Sequence, residues 1–319
     1  MRRRTFLALG VGLLPLSAGC GTDRPRIGRP ISLLVPARAG AQGGPFAQEL
    51  KGLIERQRLA GKVEVRTRTG ETGARAMAGH PADSASGDLM VTGPALVALA
   101  AMNGTGGLMD RVTPLARFAG EWLVLVTGRD SRFRTFDDLA VALARDPGRL
   151  RLAGRDTGGP DHVLYGLTAQ GLGIDARTLN YAPLPDLSHV VAATTEGSAA
   201  AGLGGPRELA GHIRAGRVRP LAVSSLERLD GLDVPTLRES GVRLQYANWS
   251  GLVAPGRPAE QERERLLDLC RAVADLPGWA DACRAHGWAP MYLDGDDFRQ
   301  WLGTETRRTK AVLGDLGLL

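Results

Sequence analysis

From residue 30 onward, short apolar runs alternate with stretches whose apolar residues recur at helical spacing. Ile31–Pro36 (ISLLVP) is a nearly continuous apolar run of strand length, the pattern of a buried parallel strand. Pro45 then opens a helical segment with Phe46, Leu50, Leu53 and Ile54 on one stripe, and Pro suits a first helical position. The same reading predicts strands at 62–69, 88–92, 122–127, 150–153, 179–181, 199–203 and 220–224. Helices are expected at 73–79, 94–102, 137–145, 162–170 and 208–214, and from Pro258 the chain reads as mostly helical, ending in Asp297–Leu313. Such a βαβα series predicts an α/β fold with parallel sheets and right-handed crossovers.

So many strands would make one sheet unusually wide, so two sheets are expected. The chain would cross between them near Pro114–Glu121 and return near Tyr246–Pro255. That gives one discontinuous domain, 27–120 plus 250–319, and a second at 121–249, with a hinge and an interdomain cleft. Trp249 would stand at the second crossing as a core residue. No fixed-period repeat or low-complexity linker interrupts the series.

Residues 1–20 break from this pattern. A cationic start, an apolar stretch from Phe6 to Leu16 and small residues before Cys20 have the anatomy of an export signal. Arg3-Arg4-Thr5-Phe6-Leu7 resembles the twin-arginine export motif. Ser17-Ala18-Gly19-Cys20 resembles a lipobox, with Ser17 in place of the usual Leu, and makes Cys20 a lipidation candidate. A plain cleaved signal is the alternative. The apolar run is shorter than the ~20 residues of a spanning helix, which argues against an integral channel or transporter.

The 319 residues suit two domains, and 43% apolar with 23% charged residues is a globular composition. Lys occurs only at 51, 62 and 310, so the positive charge is nearly all Arg. Removing Arg2, Arg3 and Arg4 from the 40 basic residues leaves an excess of three over the 34 acidic ones. That balance, without aromatics interleaved among the basic residues, argues against a nucleic-acid partner. Beyond Cys20 only Cys270 and Cys283 remain; an exported compartment permits a disulfide between them, and two buried thiols are the alternative.

A search for catalytic constellations finds none that compels. The five His are scattered without a paired metal motif, and no G-x-S-x-G elbow occurs. Gly202, Gly204 and Gly205 read as a tight turn, and Asp294, Asp296 and Asp297 as helix-start residues rather than a calcium loop. No cofactor, metal or enzymatic activity is expected. Two strand-to-helix junctions do stand out. One is Pro36 to Pro45, with Arg38, Gly40, Gln42, Gly43 and Gly44; the other is Gly154 to His162, with Arg155, Asp156, Thr157 and Gly158. Ligands of open α/β sheets bind at such carboxyl ends of strands, where helix N-termini favour a carboxylate. Ordinary βα turns are the bland alternative.

Several segments, in order, resemble the solute receptors of tripartite tricarboxylate transporters, the Bug receptors. They are ISLLVPARAG after the leader, RTGETGARAMA at 68–78, VTPLARFAGEWLVLVTG at 112–128 and TFDDLAVALARDPGRLRLAG at 135–154. IRAGRVRPLAVSS at 213–225, VPTLRESG at 234–241 and NWSGLVAPGRPA at 248–259 continue the series, as does His162 after its Gly-rich loop. The resemblance covers nearly all of 30–310. It implies a two-domain periplasmic-binding-protein fold, type II-like, closing on a small organic anion and docking on integral-membrane permease subunits. With the leader, an exported monomer is expected, periplasmic or lipid-anchored on the outer face of the cell membrane. Gly44 stands where the family has an Asp, and Tyr181-Ala182-Pro183 where it has Tyr-Lys-Gly, so Tyr181 and Pro183 join the ligand candidates. Arg38 or Arg155 would replace the missing cation, Arg offering bidentate carboxylate contacts. A ligand-sensing receptor that signals to a partner, and an exported enzyme using the same cleft, are the competing functions.

Overall fold

Ile31–Pro36 forms β1, buried at every position but Ser32. The chain is described by a computed structural model over residues 27–36, 43–68, 87–104 and 111–319; the helix expected at 73–79 lies outside them. β1 pairs in parallel with β2 (Val63–Arg68) and β3 (Gly87–Thr92). Between β1 and β2, α1 (Gly43–Arg56) buries Phe46, Ala47, Leu50, Leu53 and Ile54, the stripe its spacing predicts. α2 (Pro94–Met102) follows β3.

The expected crossing at Pro114–Glu121 is instead an eleven-residue strand, β4 (Val112–Trp122). It lies between β10 (Ala247–Pro255) and β11 (Ala289–Asp294), antiparallel to both, and completes a six-stranded sheet ordered β11-β4-β10-β3-β1-β2. Pro114 is tolerated because the ladder shifts register beside it, between Leu252 and Val253. Arg117 is tolerated because its Nε donates to the Met291 carbonyl at 2.8 Å and its guanidinium lies 4.1 Å from the Trp301 ring.

The true crossing is Leu123, the single residue between β4 and β5 (Val124–Gly128). The second sheet has the order β7-β6-β8-β5-β9. Its strands β6 (Arg151–Gly154), β7 (Asn180–Pro183), β8 (Ala201–Gly204) and β9 (Val218–Val223) alternate with α3 (Phe136–Arg145), α4 (Pro160–Gly171), α5 (Leu187–Thr195) and α6 (Pro206–Arg214). α5 was not expected from its β-branched sequence; Asp186 starts it by accepting the His189 N–H at 3.0 Å.

Both sheets are mixed, not purely parallel. β4 leaves the first sheet at the edge where β1 and β3 end, and β5 enters the second where β8 ends, Val124 opposite Gly204. A chain entering at that edge can only run against its neighbours. β10 returns in the same way, Ala247 opposite Trp122. The carboxyl ends of the parallel strands of both sheets therefore gather around the two crossings.

The last stretch is helical except for β11: α7 (Glu260–Ala274), α8 (Pro277–His286) and α9 (Gly295–Asp315). Phe46, Phe118, Trp279 and Trp288 form an aromatic centre beside the first sheet, with Phe118 5.7 Å from Phe46 and 5.5 Å from Trp279. α9 is ~30 Å long. Its first half packs Phe298 and Leu302 on Trp249 and Val97, while Val312 and Leu313 enter the second core beside Leu164 and Tyr165. Trp249 is thus a core residue of β10. Cys270 and Cys283 are both free, buried thiols in the first core. The structure carries them as separate thiols, each filling core volume as a small hydrophobe.

Candidate ligand cleft

The helices that follow β3, β6 and β8 all open on the same dipeptide. Gly93-Pro94 opens α2, Gly159-Pro160 opens α4 and Gly205-Pro206 opens α6, while Gly44-Pro45 lies in the first turn of α1. Pro is pre-shaped for the first helical turn, where its missing N–H costs nothing. Gly permits close approach: a Cβ at Gly93 would stand 2.7 Å from the Trp249 carbonyl, and one at Gly205 2.0 Å from Glu121 Oε1. The Gly-Pro step thus recurs at four helix starts, two of them, Gly93-Pro94 and Gly205-Pro206, outside the two Gly-rich loops that stand out in the sequence.

The loop between β6 and α4 is held by its own side chains. The buried Asp161 carboxylate accepts the Arg155 backbone N–H at 2.9 Å and its Nε at 3.2 Å. Arg155 Nη1 reaches Glu208 at 3.4 Å, and Glu208 also accepts the Gly205 N–H at 3.2 Å. Asp161, Glu208 and Glu121 together hold the Arg155 pKa above its ordinary value. Beneath the loop the Tyr181 hydroxyl donates to the Arg155 carbonyl, and its ring stacks on His162 with centroids 3.8 Å apart. Burial lowers the His162 pKa to about 4, so its neutral ring accepts the Gly158 N–H through Nδ1 at 3.2 Å.

These contacts sort the ligand candidates. Gly158 has its N–H engaged by His162, and the Gly159 N–H is engaged by the Asp156 carbonyl at 2.9 Å. Arg155 is an internal strut between α4 and α6, and Tyr181 and His162 support the loop from below. Asp156 and Thr157 are exposed at its crest, and Pro183 is exposed at the end of β7. Gly43 is buried and Gly44 half-buried at the start of α1; Arg38, Gly40 and Gln42 lie outside the described residues.

The crest faces α2 of the other sheet. Ala95, Leu99 and Met102 form, with Asp156 to Gly159, a crevice of about 20 Å³. A Cβ on Gly158, whose φ is +73°, would lie 2.5 Å from the Met102 sulfur. Sequence reading also missed Thr92, the last residue of β3, which is 1% exposed with no hydrogen-bond partner for its Oγ1. The second oxygen of Asp161, Oδ1, is likewise buried without a partner. Among the described residues no three His, Cys, Asp or Glu side chains converge as metal ligands, and no helix is long and apolar enough to cross a membrane.

The profile of the tripartite tricarboxylate transporter family receptor matches residues 107–318. Protein BugT of Bordetella pertussis is 24% identical over 296 residues, which cover 91% of this chain and 90% of that one. Among solved structures, a TctC solute-binding protein from Polaromonas superposes with a TM-score of 0.73 at 18% identity, covering 90% of this chain and 99% of that one. MatC from Rhodopseudomonas palustris, solved with bound malate, gives 0.68 at 20% identity over 89% and 99%. A second R. palustris protein, solved with adipate, gives 0.69 at 21% over 91% and 97%.

Proposed function

Since the chain belongs to the tripartite tricarboxylate transporter receptor family, with the two-domain fold of periplasmic binding proteins, we propose that it captures a small organic anion with a carboxylate outside the cytoplasm. The single observation that carries this reading is that helix starts from both sheets border the two crossings, Gly93 beside the Trp249 carbonyl and Gly205 beside Glu121, while the loop that opens α4 lies along α2 at Ala95, Leu99 and Met102. Helix N-termini there supply N–H donors and a partial positive charge of ~0.5 e. The malate and adipate carried by two structural neighbours support a carboxylate. Gly43, Gly44 and Thr157 are the contacts proposed for it, with Arg38 as a charge partner.

Binding would part and close the lobes about Leu123 and the start of β10, and the closed form would dock on integral-membrane permease subunits. The lobes we propose meet at Leu123 and at the start of β10, which shifts the sequence boundaries of 120/121 and 249/250 by a few residues so that β4 and β10 stay whole in the first lobe. Export by the twin-arginine route, lipidation at Cys20 and a monomeric state belong to the same proposal, and no catalytic role is assigned. The experiment is a thermal-shift screen of the chain from Gly21 onward against mono-, di- and tricarboxylates and neutral controls. A ligand at 100 times its Kd adds ~2.7 kcal/mol to stability, a readily visible rise in midpoint. A response only to non-acidic compounds overturns the carboxylate assignment.

A further inference from the structure

β1 and β3 finish at the crossings and begin about 20 Å away, the rise of a six-residue strand. At that far end the described chain enters the fold. Ile27 is buried there, its N–H donating to the Leu59 carbonyl at 2.7 Å and its carbonyl accepting the Gly61 N–H at 3.1 Å. The same Gly61 N–H reaches the Arg29 carbonyl at 3.1 Å, which fastens the turn after α1 beside the entry point. β10 runs antiparallel to β3 and so finishes at this end too, where the Gly256 N–H donates to the Arg111 carbonyl at 3.0 Å beside the start of β4.

Four Arg stand exposed on this end: Arg56 and Arg58 where α1 turns toward β2, and Arg111 and Arg257 on the side of β4 and β10. The neighbouring carboxylates are engaged by other cations. Glu55 pairs with Lys51 at 2.8 Å, Glu64 with Lys62 and Arg66 at 3.0 and 2.7 Å, Glu260 with Arg263 at 2.9 Å, and Glu262 with Arg29. Among the described residues no carboxylate pairs with the four exposed Arg. β2 and β4 are four strand steps apart, so these charges spread over about 20 Å. None of them serves the core, the crossings or the cleft.

The sequence leads into this same end. Six residues, 21–26, with Arg24 and Arg26 among them, separate Cys20 from Ile27 and reach at most about 20 Å when extended. An acyl anchor at Cys20 would draw this end, and not the cleft, to the bilayer. A basic face beside an acyl chain is the kind of second signal that stable membrane attachment takes.

We propose that this end of the first lobe is a membrane-facing surface that binds the anionic headgroups of a phospholipid bilayer and leaves the cleft open on the side away from the lipid. The inference goes beyond the receptor reading and takes from it only the export of the chain.

Cosedimentation of the chain from Gly21 onward with phosphatidylcholine vesicles, with and without phosphatidylglycerol, at physiological ionic strength tests the surface without any acyl chain. The chain is expected to pellet with the phosphatidylglycerol vesicles and to stay in solution with phosphatidylcholine alone. Each basic side chain near an anionic surface contributes about fivefold in affinity, so a pair should be worth about tenfold or more. Arg56→Gln with Arg58→Asn, the Asn suiting the φ of +53° at that position, and Arg111→Gln with Arg257→Gln should each weaken binding by that factor. Arg145→Gln with Arg149→Gln, two exposed positions on the second lobe, should change it less than about twofold. An equal loss from the second-lobe pair would show attraction by overall charge and overturn the surface. Equal binding to both vesicle types, or to neither, overturns it as well. Intact-mass measurement of the full chain recovered from bacterial membranes separates the two proposals: a missing acyl mass, with the headgroup preference and its loss in both first-lobe pairs intact, supports the surface and overturns only the anchor at Cys20.

Discussion

The Ser224 hydroxyl accepts the Leu123 N–H at 2.9 Å and donates to the Tyr246 carbonyl at 2.6 Å, so one fully buried side chain ties together both passages of the chain between the sheets. Backbone bonds frame it, from Ser224 N to the Leu123 carbonyl and from Tyr246 N to the Ser224 carbonyl. Ser224→Ala would keep those and leave the Leu123 N–H without a partner in a dry site. The expected cost is ~1–3 kcal/mol, read as a lowered denaturation midpoint with the fold retained. An unchanged midpoint would show that the hydroxyl is not a structural pin at the hinge.

His162 gives the loop a pH dependence. Its folded pKa of about 4 lies below the ordinary value near 6.5, so between these limits the unfolded chain binds a proton that the folded chain does not. Stability from this residue is complete above about pH 6.5 and falls as pH drops toward 4, by roughly 3 kcal/mol at most. Protonation would also convert Nδ1 from acceptor to donor and break its bond to the Gly158 N–H. His162→Asn, which keeps an acceptor and cannot titrate, should flatten the stability profile between pH 6.5 and 4 relative to the unsubstituted chain. Parallel profiles would place the acid sensitivity elsewhere.

How much of this was legible beforehand depended on where the compensating contacts lie. Ile31–Pro36 and Pro94–Met102 appear as read, because their apolar pattern and their burial agree residue by residue. β4 escaped notice because Pro114, Arg117 and Glu121 break the strand pattern, and what excuses them is distant: a bulge opposite β10, the Met291 carbonyl and Trp301, and the bare Cα of Gly205. The same holds at the cleft. The Gly-rich loop after β6 is visible in sequence, but Arg155 looks available until Glu208, 53 residues away, is seen to engage it.

The thiols offer a chemical check. Cys270 is fully buried with its pKa raised chiefly by burial, and burial pushes Cys283 up to about 11. At neutral pH both would be protonated and shielded, so a thiol reagent should label neither in the folded chain from Gly21 onward. Unfolding without reductant should then release two titratable thiols per chain. Fewer than two would mean that the pair had oxidised and that the free-thiol arrangement is wrong.

Met102 and Gly158 meet across the lobes, and their coupling separates a backbone cost from a steric one. Gly158 has φ +73°, where an L side chain costs ~1–2 kcal/mol irrespective of its neighbours. An alanine Cβ there would also lie 2.5 Å from the Met102 sulfur and 2.7 Å from its methyl carbon, well inside contact distance. Gly158→Ala therefore pays for strain and either drives the Met102 side chain aside or pushes the loop off α2. In a Met102→Ala background only the strain remains, while Met102→Ala alone loses packing beside Leu313. The double-mutant cycle should show a coupling of ~0.5–3 kcal/mol, the Gly158→Ala penalty being smaller when Met102 is absent. Additive penalties would mean that the two lobes do not touch at this point in solution, and that the crevice between α2 and the loop is wider than about 20 Å³.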